Sequence, residues 1–227
     1  MRRDTAKLDL YNAGVVLRAR LVKGDDMVIV MFELDTYIVL DMPPAQWTRQ
    51  VTALRNRYDP GRTNMPVKIT IIGSSGVGAL ENEQDANNTF KIIDELASRT
   101  DPITFRFAKI ARFPGANLFY YEPADPAPFV ILQEAIIATG LRFKPNPYPF
   151  TPHCTIVDLR EDRSESSKNE LLKLLIPSES ITVDELRLYS LNGLECDLLY
   201  KTKMRARAQL IRKTSRVKIG TNHKQRR

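Results

Sequence analysis

The chain has 227 residues, 43% hydrophobic and 27% charged, a composition ordinary for a globular protein of one large or two small domains. No window approaches the roughly 18–20 consecutive apolar residues of a membrane span, and the start, MRRDTAKLDL, lacks the apolar segment of a signal peptide. We therefore expect a cytoplasmic protein with no membrane association, and separately we expect a monomer. The 34 Lys and Arg outnumber 27 Asp and Glu and give a formal net charge of +7, so a polyanionic partner is worth considering.

The excess positive charge is concentrated at the C-terminal end. Positions 201–227 hold eleven of the 34 basic residues and no acidic residue, which leaves 23 basic against 27 acidic residues over positions 1–200. Runs of this kind are usually solvated and often bind polyanions without sequence preference. We predict that a basic tail, 204–227, binds nucleic acid through the RNA backbone, with strong salt dependence.

Histidine and cysteine are scarce. Cys154 and Cys196 have no metal-type spacing and form no disulfide framework, so we expect reduced thiols and neither metal nor cofactor. The histidines are His153 and His223, and His223 lies in the basic tail. A mechanism that needs two histidines from the folded body is therefore excluded.

Apolar periodicity and turn residues divide the chain into an N-terminal extension (1–26), a folded body (27–203) and the tail. The extension is predicted to be amphipathic or irregular. In the body, the patterns predict strands over 27–34, 37–42, 67–72, 103–112, 117–122, 150–158, 181–190 and 195–203, and helices over 43–58, 83–98, 126–139 and 163–176.

Alternation within the strands and the short turns between them favour an α+β fold with antiparallel sheet over a doubly wound parallel sheet. The last two strands are predicted to form a hairpin around Asn192-Gly193, with a loop longer than a two-residue turn. The glycine-rich loop 73–78 lacks the Lys-Ser/Thr of a phosphate-binding loop, which favours a flexible turn.

Two strands share a local pattern that suits phosphate binding. Lys68-Ile69-Thr70 and His153-Cys154-Thr155 each place a cationic or titratable group and a hydroxyl two residues apart. Because side chains alternate across a strand, both members of each pair face one side, and the residue between them faces the core.

These motifs, with PFTPHCTI as the clearest segment, resemble those of the two-histidine (2H) phosphoesterase superfamily, which includes bacterial 2′,5′-RNA ligases and cyclic phosphodiesterases. The resemblance covers roughly 27–203. It implies a two-lobed α+β fold with antiparallel sheets flanking a central cleft. It also implies action on RNA or nucleotides, at a 2′,3′-cyclic phosphate or a 2′,5′ linkage.

The resemblance further implies that His153 transfers a proton and that Thr70 and Thr155 hold phosphate oxygens. Lys68 departs from the family pattern, because histidine is expected there. An ammonium would need a pKa depressed by about three units to act as a base near neutral pH, and an adjacent phosphate opposes that change. We therefore expect Lys68 to act as a fixed positive charge in catalysis, with reduced or altered activity.

Other interpretations stay open at this point. The chain is alternatively a catalytically inactive relative that binds a nucleotide or RNA in the same cleft, or an RNA-binding protein that depends on its tail. Tyr148 and Phe150 are candidates for stacking on a base, with packing as the alternative, and Ser74 is a candidate ligand contact beside the first motif. The alternative for His153 is a structural role and the alternative for Lys68 is a solvated strand position, and threonine suits strands without any function.

Overall fold

The computed structural model describes residues 5–12, 15–23, 28–159, 169, 171 and 176–205. The elements in these ranges are β1 (Thr5–Asn12), β2 (Val15–Lys23), β3 (Val28–Phe32), β4 (Asp35–Asp41), α1 (Gln46–Tyr58), β5 (Lys68–Ile72), α2 (Ala86–Ala97), β6 (Ile103–Phe105), β7 (Phe107–Arg112), β8 (Leu118–Pro123), α3 (Ala127–Ile137), β9 (Cys154–Asp158), β10 (Ile181–Val183), β11 (Glu185–Asn192) and β12 (Glu195–Lys203). A 3₁₀ turn, Pro60–Arg62, follows α1. In these ranges no helix combines the length and apolar character that crossing a membrane requires.

The main sheet contains seven strands in the order β12-β11-β4-β5-β9-β8-β7, and all neighbouring strands are antiparallel. Its central strands β5 and β9, as described, pair at a single position, where Ile69 lies opposite Cys154. Two smaller sheets have the orders β1-β2-β3 and β10-β6. The predicted α+β fold with antiparallel sheets is confirmed.

Six of the seven strands of the main sheet belong to two related units, and β12 has no counterpart among the described strands. β4, α1 and β5 are followed by α2, β6 and β7, and β8, α3 and β9 are followed later by β10 and β11. A two-fold rotation through the Ile69–Cys154 pair exchanges β5 with β9, β4 with β8 and β11 with β7. The same rotation relates β6 to β10, where Thr104 pairs with Thr182 and the two hydroxyls are 2.8 Å apart. The two halves are the predicted lobes.

The extension and the last hairpin differ from expectation. Residues in the first 26 positions form two strands, β1 and β2, and β2 also pairs with β3. The apolar residues Leu17, Ala19 and Leu21 recur every second position, which is the strand period that the prediction overlooked.

In the β11–β12 hairpin, Asn192 pairs with Glu195, so the loop has only two residues and is shorter than predicted. Gly193 supplies the positive φ of 63° that such tight turns require. The helix predicted over 163–176 falls mostly outside the described residues.

Helix α1 begins at Gln46, after the two prolines that were expected in its first positions, and packs as its sequence suggests. Pro43 and Pro44 precede it, and the Thr48 hydroxyl accepts a hydrogen bond of 2.9 Å from the Ala45 amide at its first turn. Its buried face includes Trp47 and Val51, at the spacing of one helical turn. α1 packs against β9 and α3 packs against β5, so each helix contacts the central strand of the other lobe.

Two buried polar side chains connect the lobes at equivalent positions. Arg55 on α1, 3% exposed, donates from Nε to Ile156 O at 2.9 Å and from Nη2 to Thr155 O at 2.6 Å. Gln133 on α3, 5% exposed, donates from Nε2 to Ile71 O at 2.8 Å. Ile71 and Ile156 each lie two residues beyond the Ile69–Cys154 pair, so equivalent positions of the two strands accept the same kind of bond. These bonds hold the two motif strands together.

We predict that Arg55→Met destabilises the protein by about 3 kcal/mol, because buried carbonyl groups on β9 lose their donors. Arg49→Met is the matched control, since Arg49 is an exposed arginine on the same helix, and it should change stability by no more than about 0.5 kcal/mol. Urea unfolding of the three proteins measures both effects. Equal stabilities would show that the Arg55 bonds do not hold the lobes.

Candidate functional site

The register of β5 and β9 places four motif side chains on one side of the sheet. Ile69 and Cys154 are paired and fully buried in the core. The side chains next to them in each strand therefore point to the opposite side, which we call the motif face. It carries Lys68, Thr70, His153 and Thr155, all of them partly buried. The antiparallel register sets Lys68 beside Thr155 and Thr70 beside His153.

His153 is held in one tautomer. Its Nδ1 lies 2.7 Å from the Thr151 carbonyl oxygen. A carbonyl can only accept a hydrogen bond, so Nδ1 carries the proton and Nε2 keeps a lone pair when the ring is neutral. The ring contacts the rings of Phe113 and Tyr120 edge-on, with centroids 5.0 Å and 5.3 Å away. His153 thus offers one fixed acceptor nitrogen.

Burial lowers the pKa of His153 below its ordinary value of 6.5. The bond to Thr151 opposes this shift, and the positive charge of Arg62 adds to it. At neutral pH the imidazole is therefore mostly neutral, the form in which it can accept a proton.

Lys68 has an aromatic and a sulfur neighbour instead of a carboxylate partner. Nζ lies 3.6 Å from Cys196 Sγ and 5.1 Å from the centroid of the Tyr189 ring. Across the described part of the chain, Lys68 makes no ion pair within 4.0 Å. Burial lowers the pKa of Lys68, whereas Cys196 and the nearby Asp41 charge raise it. The ammonium therefore retains hydrogen-bonding capacity for an anion.

A polar network lies beside Lys68. Asp41 Oδ2 accepts hydrogen bonds from Arg187 Nη1 at 2.6 Å and from the Tyr189 hydroxyl at 2.7 Å. Arg187 Nε also donates to Glu185 Oε1 at 2.6 Å. Burial, followed by the bond to Asp41, raises the pKa of Tyr189, which keeps the phenol protonated.

Sequence reasoning missed this network, although β11 contains a signal for it. Glu185, Arg187 and Tyr189 alternate with the buried Leu186 and Leu188, so three polar or aromatic side chains share the face opposite the core. That face is the motif face, because Arg187 pairs with Val39 and Val39 pairs with Thr70. The contact between Cys196 and Lys68 depends on tertiary structure and leaves no local pattern.

The glycine-rich loop 73–78, for which the sequence favoured a flexible turn, is hydrogen-bonded to the loop that precedes His153. Gly76 N donates to Tyr148 O at 2.8 Å, and Thr151 N donates to Ser75 Oγ at 3.2 Å. Ser74 is exposed beside this junction.

The predicted ligand contacts Tyr148 and Phe150 differ in their surroundings. Tyr148 is 67% exposed, so its ring is available to a ligand. Phe150 packs against the core, the alternative considered for it from the sequence. A role in base stacking therefore remains a proposal, with Tyr148 the better placed of the two rings.

The cysteines and acidic residues offer little other chemistry. Burial raises the pKa of the Cys154 thiol to about 12, so it is a poor nucleophile at neutral pH. Among the described side chains, no three His, Cys, Asp or Glu residues are grouped so that they could hold a metal ion.

The surface of the described residues has two grooves. One, of about 450 Å³, lies beside Asp41 and Arg187, and the other, of about 840 Å³, lies between α3 and the loop after α2. Neither groove is lined by His153, Thr70 or Thr155.

We predict that long-range ¹H–¹⁵N NMR shows a protonated Nδ1 and an unprotonated Nε2 for neutral His153, titrating below pH 6.5. The Thr151 carbonyl fixes the tautomer and burial lowers the pKa. His153→Gln identifies the signal by its loss. A protonated Nε2, or a pKa at or above 6.5, would contradict the assignment of Nε2 as an acceptor.

Comparison with known proteins finds a matching family. The profile described as the 2′-5′ RNA ligase superfamily matches residues 42–195, a span that includes both motif strands. A Bacillus licheniformis protein is 25% identical over 153 residues, covering 67% of this chain and 88% of that protein. That protein is provisionally named a phosphoesterase. A Bacillus pumilus protein of the same description is 28% identical over 153 residues, covering 67% and 86%.

A solved structure has a similar fold. The TT0787 protein of Thermus thermophilus superposes with a TM-score of 0.56 over 77% of this chain and 100% of its own, at 15% identity. At that identity, the match describes the architecture of the two lobes.

Proposed function

The chain belongs to the 2′-5′ RNA ligase superfamily, and from that premise we propose that it is a phosphoesterase acting on RNA or nucleotides, at a 2′,3′-cyclic phosphate or a 2′,5′ linkage. The 2H phosphoesterase resemblance is thereby confirmed, and its relatives are described as phosphoesterases. The observation that carries the proposal is the fixed tautomer of His153, which leaves Nε2 as an acceptor on the face of the sheet that also carries Lys68, Thr70 and Thr155.

In the proposed reaction, water attacks the phosphorus atom of a cyclic phosphate. His153 Nε2 takes the proton as the new P–O bond forms. Thr70 and Thr155 donate hydrogen bonds to non-bridging oxygens, and the Lys68 ammonium stabilises the negative charge. The bond from phosphorus to one ribose oxygen breaks, and that oxygen takes a proton from solvent.

Lys68 is the basis for proposing reduced activity. The two-histidine pattern supplies a second group for proton transfer at this position, and a charged lysine provides electrostatic stabilisation in its place. Loss of one acid or base typically costs a factor of about 10²–10⁴ in rate. We therefore propose slow turnover that depends on the charge of Lys68.

Hydrolysis of adenosine 2′,3′-cyclic phosphate tests the proposal. We expect His153→Gln to lower kcat/KM by at least about 100-fold and Lys68→Met by about 10- to 100-fold. Lys91→Met, which removes an exposed lysine on α2, is the matched control and should have no effect. Activity that survives His153→Gln would rule out the assigned role.

The pH dependence gives each group its own signature. kcat/KM should fall as pH drops through the lowered pKa of His153, below 6.5, because protonation removes the base. It should also fall as pH rises through the lowered pKa of Lys68, below 10.5, because the ammonium loses its charge. Lys68→Met should abolish the alkaline limb and keep the acidic limb.

A second candidate function is nucleotide or RNA binding without catalysis. The charged Lys68, held by a thiol and an aromatic ring, favours it, since that arrangement can bind a phosphate but is a poor base. Binding of adenosine 3′-monophosphate, with no hydrolysis of the cyclic phosphate between about pH 5 and 9, would favour this candidate over the enzyme. Lys68→His should then create turnover by restoring the second histidine.

Further proposals concern the division of the chain into domains and the basic tail. We propose that 27–203 functions as one two-lobed domain in the cytoplasm and that 1–26 is an N-terminal extension of it, whose strand β2 pairs with β3 of the domain. The basic tail 204–227 lies almost entirely outside the described residues. Its composition supports RNA as the partner. Binding of RNA by the tail would raise the substrate concentration near the candidate site.

A further inference from the structure

We propose that Arg187 is a positioning residue that keeps the Asp41 carboxylate engaged, so that the Lys68 ammonium is left free for a phosphate. The inference rests on the proposed function, because it concerns how the same site binds its anion. It assigns a task to a residue that lies outside both motifs.

Asp41 is the carboxylate best placed to compete for Lys68. The two residues are directly paired across β4 and β5, so their side chains project from the same face. Side chains paired in this way have Cβ atoms about 4.5–5.5 Å apart, close enough for an ion pair. The lysine nevertheless extends toward Cys196 and the Tyr189 ring.

Arg187 neutralises the charge of Asp41 and so weakens the attraction between this carboxylate and the Lys68 ammonium. Its Nη1 donates to Asp41 Oδ2 at 2.6 Å, and the Tyr189 hydroxyl donates to the same oxygen at 2.7 Å. The Asp41 side chain is 11% exposed, so this contact neutralises a carboxylate that water scarcely reaches. Glu185 in turn holds the Arg187 Nε at 2.6 Å and fixes the guanidinium.

The other carboxylate oxygen shows that Asp41 could accept another donor. Asp41 Oδ1 is buried and has no hydrogen-bond partner among the described residues. A buried acceptor without a donor is costly, and the cost grows when the carboxylate also loses its cation. Without Arg187, the cross-strand Lys68 is the cation that Asp41 would capture, and a phosphate would then have to break that ion pair.

Binding of inorganic phosphate, measured by calorimetry at fixed pH and ionic strength, tests this inference without requiring turnover. We expect Arg187→Met to weaken phosphate binding about five- to tenfold, the size of one modest ion-pair competition. Adding Asp41→Asn to Arg187→Met should restore affinity to within about threefold of wild type, because the competing charge is gone.

Two further variants separate positioning from folding and from direct contact. Arg187→Lys keeps a cation for Asp41 and should retain affinity, which shows that the site still folds. Arg142→Met removes an arginine–carboxylate contact of 2.8 Å, to Glu81, away from the motif residues and should have no effect.

A loss in Arg187→Met that Asp41→Asn does not restore would overturn the inference, since Arg187 would then contact phosphate itself or only support the fold. Undiminished affinity in Arg187→Met, or no phosphate binding by the wild type, would overturn it as well. If the affinities follow the expected pattern but cyclic phosphate is not hydrolysed, the proposed enzyme activity fails and the inference stands.

Discussion

The arrangement of the two lobes depends on polar bonds buried between them. Arg55 on α1 is bonded to β9, and Gln133 on α3 is bonded to β5, so each helix holds the central strand of the other lobe. These strands meet only at Ile69 and Cys154 within the described sheet, and backbone pairing alone would hold them weakly. Because the bonds end on the strands that carry both motifs, the contacts that join the lobes also align the candidate site.

A nearly symmetric scaffold supports an asymmetric site. Lys68 and His153 occupy positions related by the two-fold rotation, but their surroundings differ. His153 is fixed by a backbone carbonyl and two aromatic edges, which favours a neutral base. Lys68 lies beside a thiol, an aromatic ring and the Asp41 carboxylate, which is hydrogen-bonded to Arg187. These surroundings favour a lysine ammonium that is not engaged in an ion pair. In the proposed mechanism, this difference assigns proton transfer to His153 and charge stabilisation to Lys68.

The fold was largely predictable from the sequence because strand alternation and proline or glycine boundaries are local signals. The shared strand pattern also indicated that Lys68 and His153 would face the same way, and the register agrees. The partners of Lys68 were not predictable, since Cys196 is 128 positions away and reaches it only through the β11–β12 hairpin. The strands β1 and β2 were missed because the extension was interpreted as amphipathic or irregular and its two-residue alternation was overlooked.

A crystal structure of the protein with inorganic phosphate tests the central claim, that the motif face binds a phosphate, most directly. The account predicts one phosphate within about 3.2 Å of Thr70 Oγ1, Thr155 Oγ1, Lys68 Nζ and His153 Nε2. Lys68 should then point to the anion, with the contact between Arg187 and Asp41 intact. A phosphate bound elsewhere, or a lysine and a histidine too far apart to reach one phosphate, would contradict it.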